Sequence, residues 1–66
     1  MHTLLMCVTL ITLSPNSKQS STKCELVTVP QAFEALRLTR SDPMLDCYDR
    51  WHSKTQTLTI ECLRRD

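Results

Sequence analysis

The side chains with most scope for chemistry are four cysteines, Cys7, Cys24, Cys47 and Cys62, and two histidines, His2 and His52. A thiol becomes a nucleophile only beside a base that a third group orients. Cys47, His52 and Asp49 contain those ingredients, but on a helix they would point in diverging directions. The chain holds no glycine, which removes phosphate-cradling loops. No catalytic group is expected from these residues. A structural metal site needs ligands paired at close spacing, and the nearest approach is Cys47 with His52, five apart, so neither metal nor any other cofactor is expected. Asp46 and Asp49, three apart, read as solvated charges on a helix surface.

Disulfide formation is the chemistry that remains. Four cysteines in 66 residues suggest a stapled scaffold in an oxidising compartment. The expected bridge is Cys24 to Cys62: it would join two predicted strands and close a loop of about 37 residues, worth about 3.5–4 kcal/mol in the chain-entropy relation. If the first 21 residues are removed, Cys7 goes with them and Cys47 is left as a free thiol or as the link in a disulfide-bonded dimer; if they are kept, three pairings of the four cysteines are open.

The elements that would position these residues fall into two unlike parts. Lys18 is the one charged side chain among residues 1–22, whereas all seven acidic residues lie beyond them. Residues 4–13, LLMCVTLITL, run without a charge, which is about half the length that spans a bilayer as a helix. Followed by the polar stretch SPNSKQSSTK, they have the layout of a secretory signal peptide, without Lys or Arg in front and without a clean cleavage site. Two alternatives stand beside it. Val8, Thr9, Ile11 and Thr12 also suit a buried β-strand, and a retained apolar segment could lie against a membrane. Residues 1–21 are therefore read as a leader or apolar segment with a linker from Ser14 to Thr22, and residues 22–66 as the domain.

Within that domain, CELVTV over residues 24–29 predicts a short strand. Pro30 opens a helix over PQAFEALRLTR, in which Phe33 and Leu36, with Ala32 and Leu38, form the apolar side and Glu34 pairs with Arg37. Ser41-Asp42-Pro43 reads as the cap of a second helix. Its Met44, Cys47, Tyr48 and Trp51 would share one face, as core or as a partner surface. Gln56, Leu58, Ile60 and Cys62 alternate with polar residues, which predicts a half-buried strand, and Arg64-Arg65-Asp66 reads as a polar end that frays.

The fold expected is a small α+β strand-helix-helix-strand unit stapled by a disulfide and preceded by an apolar N-terminal segment. Its function is expected to be non-catalytic: a small secreted protein that binds an unknown protein partner through Trp51 and Tyr48 or through Arg37 and Arg40. Eight basic against seven acidic side chains make no field that would draw the chain onto nucleic acid. A membrane partner follows only if residues 1–21 are retained. The rival expectations are a short membrane-associated accessory peptide, and a marginally folded product with no evolved activity.

Overall fold

The structure is a computed structural model that describes residues 2–65. Its elements are β1 (Thr3–Ser14), β2 (Ser17–Thr28), α1 (Val29–Ser41), β3 (Leu45–His52) and β4 (Thr57–Arg65). They form one mixed sheet in the order β2-β1-β4-β3, parallel between β1 and β4 and antiparallel elsewhere. The expected strand-helix-helix-strand unit is therefore replaced by two hairpins joined through a single helix, a small, mostly β fold with two disulfides.

The apolar run at residues 4–13 forms β1, a central strand paired on both sides. Its even-numbered side chains Leu4 and Met6 enter the core with Val27, Ala32, Leu58, Ile60 and Cys62, as the period of two in a strand requires. Ile60 is the most buried of them, 1% exposed. The Ser14–Thr22 linker is absent. Pro15 and Asn16 make a two-residue turn between Ser14 and Ser17, which face each other in register, and Ser14 Oγ bonds to Ser17 Oγ at 2.8 Å and donates to Ser17 O at 3.0 Å. Ser20, Ser21 and Thr22 continue as strand. A polar sequence is tolerated there because β2 lies at the sheet edge and is exposed from Ser17 to Leu26.

The predicted strand at 24–29 is the last part of β2. It does not pair with residues 56–62, because β1 lies between β2 and β4.

Helix α1 begins one residue before Pro30, and Thr28 with Gln31 completes a capping box: Gln31 N donates to Thr28 Oγ1 and Thr28 N to Gln31 Oε1, satisfying two orphan donors together. Ala32, Ala35 and Leu36 pack toward the sheet, while Phe33 and Leu38, expected among them, remain 67% and 58% exposed.

The expected second helix is strand β3. Asp42 is the C-cap of α1, with extended backbone (φ −88, ψ 113), the geometry a following proline favours. Its carboxylate accepts from Met44 N at 2.9 Å, and Leu45 N donates to Asp42 O at 3.3 Å. The Ser-Asp-Pro signal thus ends one helix instead of starting another. Met44, Cys47, Tyr48 and Trp51 fit a helical period, but Leu45, Cys47 and Trp51 fit a strand period equally well, and pairing with β4 decides between them.

The β3–β4 turn spans residues 53–56 and ends at Gln56, whose φ of 50° is a left-handed conformation that costs any residue with a Cβ about 1–2 kcal/mol. Gln56, predicted as the first inward strand residue, is therefore a turn residue whose carbonyl accepts from Leu5 N at 3.1 Å. Leu58, Ile60 and Cys62 do face inward as expected. Arg64 lies within β4, and Asp66 is outside the described residues.

Candidate functional site

The Cys24–Cys62 bridge does not form. Those strands are two positions apart in the sheet, about 10 Å, whereas a disulfide requires Cα atoms within about 7 Å. Instead Cys7 bonds Cys24 across the β1–β2 hairpin and Cys47 bonds Cys62 across the β3–β4 hairpin, with Cα separations of 4.0 and 4.1 Å. Cys47 is therefore neither a free thiol nor available to link two chains. The second bridge is on the helix side with buried Cys62, and the alternation along β1 and β4 puts the first on the opposite, uncovered face. Among the described residues there is no group of three His, Cys, Asp or Glu side chains that could hold a metal.

The strand geometry of β3 separates the residues expected to share a helical face. Leu45, Cys47, Asp49 and Trp51 turn to the helix side, and Asp46, Tyr48, Arg50 and His52 to the uncovered side, since neighbouring residues in a strand alternate. Cys47 and His52 thus lie on opposite faces, as do Asp46 and Asp49, and Tyr48 and Trp51.

On the helix side, α1 and β3 enclose a groove of about 340 Å³ lined by Leu4, Val29, Ala32, Phe33, Leu36, Asp49, Trp51 and Leu58. Phe33 and Trp51 are 67% and 51% exposed. The groove continues along α1 past Leu36, Arg37 and Arg40 to Ser41. Arg40 and Arg37, expected to meet an acidic partner, both have partners within the chain. Arg40 Nη2 bonds Asp49 Oδ1 at 3.0 Å, and Arg37 forms the expected i, i+3 pair with Glu34, its Nε donating to Oε2 at 3.2 Å. The groove is therefore an apolar surface with a rim of neutralised charge. Phe33 is the member that sequence reasoning misplaced. Ala32, Ala35 and Leu36, spaced i, i+3 and i+4, form the helical stripe that packs on the sheet, and Phe33 lies at its flank.

On the uncovered face, Tyr48 Oη donates to Glu61 Oε2, its register partner on β4, beside Arg50, His52 and Thr59. This hydrogen bond to Glu61, followed by the repulsion between its carboxylate and a phenolate, raises the Tyr48 pKa above 10.0. The bond therefore contributes stability in full below the ordinary tyrosine value and loses it as pH rises through the higher folded value. Tyr48 is the only tyrosine, so tyrosinate absorbance reads it directly. The midpoint is expected above 10.0 in the native chain and closer to 10.0 in Glu61→Gln; identical midpoints in the two proteins would remove Glu61 as the cause.

No known family, curated protein or solved structure matches the chain. Two disulfides fit an extracellular protein, since such bonds persist in oxidising compartments, and among the described residues no helix is long and apolar enough to cross a membrane.

Proposed function

We propose that the protein is a non-catalytic extracellular module that binds a protein partner through the groove between α1 and β3. The observation that carries this reading is the exposure of Phe33 and Trp51, two of the chain's three aromatic side chains, on one apolar hollow. Aromatic side chains in apolar pockets dominate binding energy at protein interfaces. A volume near 340 Å³ suits one or two apolar side chains of a partner segment, at the low end of ligand-pocket sizes. Because Arg37 and Arg40 are already paired, the partner recognised is apolar at its centre and needs no run of acidic residues.

Selection of a displayed random-peptide library against the oxidised protein tests this. The selected peptides are expected to share a large apolar residue and to quench or shift the emission of Trp51, the only tryptophan. Phe33→Asp should weaken them by about 30-fold or more, as loss of an interface anchor worth about 2 kcal/mol does. Leu26→Asp, an exposed change on β2 away from the groove, should leave them unchanged. Peptides indifferent to Phe33, or an empty selection, would sink the proposal.

A further inference from the structure

We propose that two copies of the chain associate noncovalently through their β3 edges, antiparallel, in the register that sets Tyr48 against Tyr48 of the second copy. Among the described residues, β3 has one neighbour in the sheet, β4. The 4.1 Å Cα separation of Cys47 and Cys62 marks a non-hydrogen-bonded pair of an antiparallel ladder. The backbone N–H and C=O groups of Cys47, and by alternation those of Asp49 and Trp51, therefore point away from β4 along the free edge. An edge of this kind is a template for another strand.

The side chains select the strand it takes. A two-fold axis normal to the sheet pairs residues of equal parity, so the possible registers are few. With Tyr48 on the axis, Asp46 of each copy faces Arg50 of the other on the uncovered side, and Leu45 of each faces Trp51 of the other on the helix side. The opposite-charge pair and the apolar pair each occur twice, and cross-strand pairs of these kinds stabilise sheets. Centring on Asp49 or on Arg50 would place like charges opposite each other at the axis, and centring on Cys47 would set Asp46 against Tyr48. Asp46 also interacts within its own chain, and the pairing with Arg50 of the second copy adds to that interaction. The other free edge, β2, is a poorer template. It carries Lys18, Lys23, Ser20, Ser21 and Thr22, and lysines on an edge discourage pairing. Trp51, which lines the groove, thus also borders the β3 edge.

Analytical ultracentrifugation of the oxidised full chain from micromolar to millimolar concentration tests the assignment. A monomer–dimer equilibrium is expected. Arg50→Glu should weaken it about tenfold or more, because two attractive pairs become repulsive, and adding Asp46→Lys should restore it with the charges exchanged. Circular dichroism and intact mass verify that each variant keeps its fold and both disulfides. A native chain that stays monomeric, an Arg50→Glu dimer of unchanged strength, or a double variant that fails to recover would each overturn the proposal. Loss of the dimer in Lys23→Glu would overturn it in favour of the β2 edge. The test is separable from that of the groove: peptides selected on the native protein should bind Arg50→Glu unchanged, whereas Phe33→Asp should lose peptides and keep the dimer.

Discussion

Reduction of both disulfides is expected to unfold the protein at room temperature. A chain of 66 residues at the usual 0.05–0.15 kcal/mol per residue has about 3–10 kcal/mol of net stability. Each bridge closes a short loop, with sequence separations of 17 and 15, and cross-links of that length remove about 3 kcal/mol of denatured-chain entropy apiece. Their joint loss is comparable to the whole net stability. The core of seven buried residues among those described offers little reserve, because a chain this small buries only about 60% of its unfolded surface. Far-ultraviolet circular dichroism with Trp51 emission, recorded before and after addition of reductant, reads the outcome directly. A cooperative transition with an unchanged midpoint after complete reduction would refute it. The two bridges should also differ. Replacing Cys47 and Cys62 by alanine removes side chains from the helix side, where Cys62 is 2% exposed, so a packing loss adds to the entropic one. Replacing Cys7 and Cys24 removes a bridge from the uncovered face, where Cys24 is exposed, and should cost less.

Which parts of this architecture could be read from the chain depends on whether local and long-range preferences agree. α1 was legible because Pro30, good helix formers and the Glu34–Arg37 spacing all act within a few residues. The inward face of β4 was legible because Leu58, Ile60 and Cys62 alternate without interruption. β3 was not, because Asp49 breaks its inward row. That carboxylate stays exposed at the rim of the groove, where Arg40, nine residues earlier, bonds it. Of β2, the last part from Cys24 was legible, whereas the Ser- and Thr-rich part before it has linker composition and is held as strand by pairing with β1.

The cysteine pairing illustrates the same limit. With three possible pairings of four cysteines, the choice depends on strand order, which places β1 between Cys24 and Cys62. The binding candidates divided for a related reason. A helix would have kept Tyr48 beside Trp51, whereas a strand sends them to opposite faces, so Trp51 joins Phe33 in the groove and Tyr48 joins Glu61 on the other side.

Removal of residues 1–21 is expected to abolish the fold, an effect at least as large as that of reduction. The cut passes through β2 and takes all of β1, which among the described residues is the only neighbour of β2 and one of two neighbours of β4. Leu4 and Met6 leave the core, and burying side chains of that size stabilises by about 1.5–3 kcal/mol each. Cys24 loses its partner Cys7, and with it another contribution of about 3 kcal/mol. What remains is α1 beside a disulfide-closed β3–β4 hairpin, and a two-stranded hairpin is marginal in water. A secreting cell puts the fold and the leader reading in direct competition. If residues 3–14 act as a strand, the chain recovered from the medium retains them and carries four cysteines that resist alkylation until reduced. If they act as a leader, the recovered chain begins near residue 22 with three cysteines. Amide dispersion in the nuclear magnetic resonance spectrum of a 22–66 fragment then decides whether that product has a structure of its own. A well-dispersed, cooperatively melting fragment would overturn the role of β1 as the strand that holds the two hairpins together.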